Sequence, residues 1–265
     1  MSISGNFSED CRLIRQTSPV IHNITNYVAM GFSANVLLAL GASPLMSSEP
    51  DEMEDISFLS SALVINIGCL EQNSMEAMRI AAEAMSALGK PWVLDPVGAG
   101  ASRLRTATSL DLIRRFHPSV IRGNASEILA LCGLPARPRG VDSVEDSLCA
   151  LRPAMELAAK YETVVSVSGR VDFITDGREV TGIRNGSPMM QSVTAMGCAS
   201  SAVTAAFLAV DTDYLNAASC AAALMGVAGE KAASESGGPG TLAIEFLDTL
   251  YNLDPDRAAE MIIYE

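Results

Sequence analysis

Three segments of the 265-residue chain place carboxylate, guanidinium and thiol groups where they could meet a ligand. Asp95 closes the apolar run Trp92–Asp95 and opens Pro96-Val97-Gly98-Ala99-Gly100. A carboxylate there can hold a hydrated Mg²⁺, and the glycines let backbone approach a ligand closely. The alternative is that Asp95 only starts the turn before Pro96. Arg122-Gly123-Asn124-Ala125-Ser126-Glu127 leaves a strand and enters a helix. Arg122 could contact a phosphate, and Glu127 could orient metal-bound water. The same spacing describes an ordinary helix start, with Asn124 as cap and Glu127 completing a capping box. Val193-Thr194-Ala195-Met196-Gly197-Cys198 precedes a helix of small residues. Free N–H groups at a helix start attract anions, and the dipole lowers the pKa of a thiol placed there. Cys198 could then be a base or polar partner beside a transferring phosphoryl group, or a buried cysteine at a tight helix start.

Several chemistries are excluded by their missing signatures. No G-x-x-x-x-G-K-[ST] occurs, so the nucleotide site is not of the Walker type. No H-E-x-x-H or G-x-S-x-G occurs either. Gly89-Lys90-Pro91 reads only as a helix stop before a strand. His22 reads as a satisfied near-core histidine rather than a ligand.

Composition narrows the partners. The formal net charge is −13, which repels nucleic acid and anionic membrane. Any phosphate site must then be built locally, from backbone N–H groups, a helix end or a metal. The six cysteines form no C-x-x-C pair, and there are two histidines, so a structural zinc site is not expected. Five of the six cysteines sit among apolar residues and read as core filler, which fits a reducing cytoplasm. No signal peptide is visible in Met1–Cys11, and no apolar stretch is long enough to span a bilayer.

These groups need elements to position them. Strands are expected at Val20–His22, Ala62–Ile67, Trp92–Asp95, Ser119–Arg122 and Val164–Val167. Phe173 to Ile183, with Asp176-Gly177 in its middle, reads as a hairpin. Helices are expected at Val28–Leu40, Ser74–Leu88, Ser109–Phe116, Ser126–Leu131, Glu145–Lys160, Gly197–Val210, Asp213–Ser234 and Leu242–Leu250. Such alternation implies one α/β domain over 1–265, with a mostly parallel sheet covered on both faces. Ligands of such sheets bind beyond the carboxyl ends of the strands. Asn23-Ile24-Thr25-Asn26, the Asp95 loop and Gly123-Asn124 all lie there.

Taken together, five stretches resemble the hydroxyethylthiazole kinase family, in the family's order. They are Ser18–Val28, Ala39–Met46, Leu94–Ala101, Ile121–Ile128 and Gly238-Pro239-Gly240. The resemblance implies a ribokinase-like three-layer α/β fold and transfer of the ATP γ-phosphoryl group to the hydroxyl of 4-methyl-5-(2-hydroxyethyl)thiazole, with Mg²⁺. It implies homotrimers with each thiazole site at a subunit boundary. Asn26, Met46 and Ala195 would lie at the thiazole, Arg122 and Ser168 at ATP, and Asp95 and Glu127 at Mg²⁺ and its waters. Cys198 would be the catalytic group, standing where ribokinase relatives place an Asp.

The chain departs from the family's pattern at named positions. Ala195 and Met196 replace a Gly and a Thr or Ala, and Ala195 is strained if the Gly needs φ > 0. Ser168-Gly169-Arg170 replaces Thr-Gly-Glu, and Arg170 could tighten a phosphate contact or face solvent. These changes keep two further readings open: a kinase for a hydroxymethylpyrimidine-type alcohol, and a non-catalytic thiazole-binding homologue.

Overall fold

The computed structural model describes residues 3–135 and 143–265. The strands are β1 (Val20–Ile24), β2 (Ser43–Met46), β3 (Ala62–Asn66), β4 (Trp92–Asp95), β5 (Val120–Asn124), β6 (Val164–Ser168), β7 (Asp172–Thr175) and β8 (Val180–Ile183). They form one sheet in the order β2-β1-β3-β4-β5-β6-β7-β8. The ladders from β2 to β6 are parallel; β7 and β8 add an antiparallel hairpin. The helices are α1 (Ile3–Thr17), α2 (Met30–Leu40), α3 (Met53–Leu59), α4 (Gln72–Ala87), α5 (Arg103–Phe116), α6 (Ala125–Leu131), α7 (Ser143–Tyr161), α8 (Met196–Leu208), α9 (Tyr214–Glu235), α10 (Pro239–Asn252) and α11 (Pro255–Glu260).

The pleat sorts the strand side chains. Ile21, Val64, Val93, Val120 and Val164 pack with α1, α2, α8, α9 and α10. Ile24, Leu63, Ile65, Leu94, Ile121 and Val165 pack with α3 to α7. Both faces are therefore covered, which is why these strands read as continuous apolar runs instead of alternating ones. The chain leaves β1 for the edge strand β2, then returns past β1 to begin β3. That reversal makes the carboxyl ends of β1 and β3 a topological switch point, where open α/β sheets bind ligands.

The expected α/β architecture is the observed one, and the hairpin turns at Asp176-Gly177. Asp176 Oδ1 accepts from the N–H of Arg178 and of Glu179, both at 2.8 Å, and Gly177 has φ of 91°. Four elements were not expected: α1, β2, α3 and α11. β2 contains Pro44, which weakens a strand reading, but an edge tolerates proline because one side of its backbone needs no partner. Gly89-Lys90-Pro91 does more than stop a helix. Lys90 Nζ donates to the carbonyls of Ser57, Phe58 and Ser60 at 2.6–3.0 Å and caps the end of α3.

The cysteine expectation needs correction. None of the six cysteines is in a disulfide, but only Cys11 and Cys220 are buried, and Cys149 is exposed. Apolar sequence neighbours do not tell which side of a helix a residue faces. His22 is buried as expected, and its Nε2 lies 3.1 Å from the Ser47 carbonyl, but Nδ1 has no partner. Burial pushes the imidazole down to about 4, so it is neutral at pH 7. No helix among the described residues is long and apolar enough to cross a membrane.

Asp10 of α1 is buried at 5% exposure with Oδ2 unpartnered. Burial, then the charges of Asp211 and Glu9, raise its carboxyl to about 7. The folded chain thus binds a proton that the unfolded chain releases near pH 4. Stability should fall as pH rises from about 4 to about 7, with the full penalty above that. Asp10→Asn is expected to add roughly 1–3 kcal/mol at pH 8 and little at pH 4. Urea unfolding at the two pH values checks this, and an equal effect at both would remove Asp10 as the cause.

Candidate functional site

Alternation along each strand carries the sheet's polar residues to one place. Val64, Val93 and Val120 face α8, so Asn66, Asp95 and Arg122 two residues later share that face. α8 packs against β1, β3 and β4 directly above them. Its first turn, the preceding loop and the ends of β4, β5 and β6 enclose a cleft. The cleft is lined by Asp95, Val97, Arg122, Asn124, Glu127, Ser168 and the segment from Met190 to Cys198, apart from Ser192. Six of the eight site residues expected from sequence meet here: Asp95, Arg122, Glu127, Ser168, Ala195 and Cys198.

Asp95 is 2% exposed, and its Oδ2 accepts from Asn66 Nδ2 at 2.8 Å and Ser201 Oγ at 2.7 Å. Burial pushes this carboxyl up to about 7 against the pull of Arg122, with Glu127 adding to the rise. Starting a turn and lining the cleft are compatible for Asp95, which ends β4 with its side of the loop on the cleft. The same holds for Glu127. Asn124 Oδ1 accepts from Glu127 N at 3.0 Å, and Glu127 Oε2 accepts from Asn124 N at 2.9 Å, which is the capping box. Glu127 Oε1 also accepts from Gly98 N at 2.9 Å. One carboxylate therefore ties the start of α6 to the Asp95 loop while lining the cleft.

The start of α8 carries no side-chain cap; the Met196 N–H turns back to the Val193 carbonyl at 3.4 Å, and the N–H groups of Gly197 and Cys198 are left to whatever occupies the cleft. Ala195 occupies the N-cap with φ of 69° and ψ of 4°. The condition for strain at this position is met, because a Cβ disfavours left-handed backbone. Gly197 packs closely against Arg122. A Cβ on it would lie 3.0 Å from the Arg122 guanidinium, which donates to the Gly197 carbonyl at 3.0 Å. Cys198 is half-buried. Burial and then the charge of Asp95 raise its thiol, outweighing Asn26, Asn66 and Arg122. The helix start does not make Cys198 a low-pKa thiol, because desolvation dominates there.

Asn26 and Met46 do not line this cleft. Asn26 is buried beside it, with Nδ2 at 3.4 Å from Cys198 Sγ. Met46 ends the edge strand β2, level with Asn23 of β1, and is partly exposed. Arg170 is exposed and outside the cleft lining, as its solvent-facing alternative requires. Sequence reasoning missed Asn66, Ser201 and Arg105. The signal for Asn66 was present, as a lone polar residue near the end of an apolar strand. Arg105 donates to the carbonyls of Ile67, Val97 and Gly68 at 2.8–2.9 Å, joining the loops after β3 and β4. Nothing in its helical spacing marks that role.

Comparison with known proteins bears on the family and the fold. The profile of the hydroxyethylthiazole kinase family matches residues 11–256. A hydroxyethylthiazole kinase of Brachyspira hyodysenteriae is 49% identical over 249 residues, covering 94% of each chain. One from Desulfotalea psychrophila is 44% identical over 97% of this chain and 94% of its own. The solved structure of a Pyrococcus horikoshii OT3 hydroxyethylthiazole kinase superposes with a TM-score of 0.90 at 37% identity, covering 98% of both chains. A ribokinase-like protein of Enterococcus faecalis, at 14% identity and a TM-score of 0.63 over 87% of this chain and 86% of its own, shares the fold.

Relieving the strain at Ala195 should be measurable. Ala195→Gly is expected to stabilise the chain by about 1 kcal/mol, a rise of roughly 2–4 °C in Tm. An unchanged or lower Tm in a thermal melt would contradict a strained left-handed alanine.

Proposed function

Since the chain belongs to the hydroxyethylthiazole kinase family, we propose that the cleft at the start of α8 is where it transfers the γ-phosphoryl group of ATP to the hydroxyl of 4-methyl-5-(2-hydroxyethyl)thiazole. One observation carries the assignment: Asp95, Arg122, Glu127, Ser168 and the uncapped start of α8 with Cys198 line a single cleft at the carboxyl edge of the sheet. Phosphoryl transfer through a loose transition state asks for positioning and charge stabilisation more than covalent chemistry. Arg122, the basic residue of the lining, would offset phosphate charge, and the free N–H groups of α8 would hold phosphate oxygens. Ser168 would contact ATP at the end of β6.

Asp95 and Glu127 suit Mg²⁺, which takes one or two carboxylates and fills its other positions with water and phosphate oxygens. No group of three or more potential ligands occurs among the described residues, which agrees with so sparse a protein share. Bound there, the ion would neutralise charge developing on the phosphates. The raised Cys198 thiol supports a role as polar partner beside the reacting oxygen over that of a strong base. A loose transition state forms little bond to the attacking oxygen, so its proton leaves late and a strong base is not required. Ala195 keeps a left-handed backbone despite its side chain, which favours an active site over the non-catalytic reading. Six cysteines without a disulfide suit a reducing, cytoplasmic setting.

The edge strand β2 supports the trimer. Ser43 to Met46 are all partly exposed, and β2 pairs on one side only. An unpaired apolar edge invites another chain. A subunit boundary along β2 would place Met46 against a thiazole bound beyond Asn26.

ADP release coupled to the thiazole alcohol, with and without Mg²⁺, tests the assignment. Turnover is expected only with both, and Cys198→Ala should lower kcat far more than it raises KM. No alcohol-dependent ADP would defeat the assignment. A pyrimidine alcohol preferred by more than about tenfold in kcat/KM, roughly 1.4 kcal/mol, would transfer it to that substrate class. Sedimentation is expected to give three times the chain mass and, for Met46→Lys at the end of β2, the monomer mass. A wild-type monomer would exclude the shared site.

A further inference from the structure

Asn66 has no exposed surface, and its hydrogen bonds run to both sides of the cleft. Its Oδ1 accepts from Asn26 Nδ2 and from the Gly68 N–H, both at 2.9 Å. Its Nδ2 donates to Asp95 Oδ2 at 2.8 Å, level with it in the ladder between β3 and β4. Asn26 completes the connection. Its Oδ1 accepts from the Ala29 N–H at 2.9 Å, and its Nδ2 reaches Cys198 Sγ at 3.4 Å. A continuous chain of bonds thus joins Cys198, Asn26, Asn66 and Asp95, ending on Ser201 Oγ.

Backbone groups decide which way both amides face. The N–H groups of Ala29 and Gly68 can only donate, so the oxygens of Asn26 and Asn66 must meet them. A flipped Asn66 would set its NH₂ against two donors and its oxygen against a carboxylate. Aspartate in its place would set a second carboxylate against Asp95, and leucine would strand the Gly68 N–H and weaken the hold on Asp95. Gly68 also makes room, since a Cβ there would lie 2.7 Å from Asn26 Nδ2. Unsatisfied groups in so buried a place are costly, so the network has one low-energy arrangement.

We propose that Asn66 is a positioning residue for the transfer. It aims the Asn26 amide at Cys198 on the alcohol side and ties it to the Asp95 carboxylate on the phosphate side, so that the two halves keep a fixed separation. The proposal rests on the kinase assignment of the cleft. Losing the tie displaces reacting groups without removing any of them, and a misplacement of about 1 Å can cost ~10²-fold in rate.

The test has two arms on the full chain. In the first, Asn66→Ala is expected to lower kcat/KM for the thiazole alcohol by about 10²-fold, while KM for ATP stays within about twofold. Asn26→Ala combined with Asn66→Ala should be little worse than either alone, because both break one connection. Ser201→Ala, which frees the other bond to Asp95 Oδ2, should instead multiply with Asn26→Ala. In the second arm, NMR follows hydrogen exchange of the Asn26 side-chain NH₂. It should be slow in the wild type and about tenfold faster in Asn66→Ala, whether or not the chain turns over this alcohol. If Asn66→Ala does not fold, Asn66→Ser serves in both arms, since its shorter side chain adds no charge and cannot bridge the Asn26 amide and Asp95 Oδ2. Multiplying effects of Asn26→Ala and Asn66→Ala, activity within about twofold of wild type, or unchanged Asn26 exchange would each overturn the proposal. Absent wild-type turnover with changed exchange would instead count against the substrate and leave the positioning role standing.

Discussion

A polar side chain at the end of a strand covered on both faces has no water to turn to, and the structure around the cleft follows from that constraint. Asn66 and Asp95 end neighbouring strands beneath α8 and are almost fully buried. Each must be satisfied by protein groups, because an unpaired buried polar group costs about 1–3 kcal/mol. Asn66 meets Asp95, Asn26 meets Asn66, and Ser201 of α8 closes the chain. The demand for hydrogen bonds thereby becomes a demand on geometry: the loop after β1, the ends of β3 and β4 and the start of α8 must sit at fixed distances. Arg105 applies the same constraint from the other face, holding three loop carbonyls with one guanidinium.

Charge is handled as locally as hydrogen bonding. A chain of net charge −13 offers an anion no long-range attraction. The cleft supplies its positive potential from Arg122 and from the uncapped start of α8. Gly197 lets the Arg122 guanidinium lie against the first turn of that helix, so the two sources act at one spot. Glu127 shows how economical the arrangement is. Its carboxylate completes a capping box, holds the Gly98 N–H of the Asp95 loop and still lines the cleft. Completing the capping box and lining the cleft are compatible for this glutamate, since fixing the helix start is what places the carboxylate.

The two halves of the expected site differ in how complete they are in one chain. The phosphate side closes within the fold, whereas Met46 lies on an edge strand with one side unpaired. Ala195 marks the join between backbone and chemistry. It takes a conformation that alanine disfavours, which shows that the turn into α8 is imposed by its surroundings. The neighbouring Met196 side chain, buried in the core, helps to hold that backbone in place.

From the sequence alone, the alternation of apolar runs and helical stretches determined an α/β sheet covered on both faces, and the residues after each strand determined where to look. Asp95, Arg122, Glu127 and Cys198 could be named because strand ends and helix starts are local features, whereas Ser168 and Ala195 were named only through the family resemblance. The helix α1 carried a signal that was passed over, with Phe7, Cys11 and Ile14 at helical spacing. The strand β2 was not legible, since a four-residue edge strand with a proline carries little alternation. Nor were the partners of Asn66, the triple grip of Arg105, the raised Cys198 thiol or the separation of Met46 from the cleft. Only tertiary structure decided these, because each depends on which strands lie side by side and on how much water is excluded between them. Those quantities arise from residues tens to hundreds of positions apart and leave no trace in local spacing.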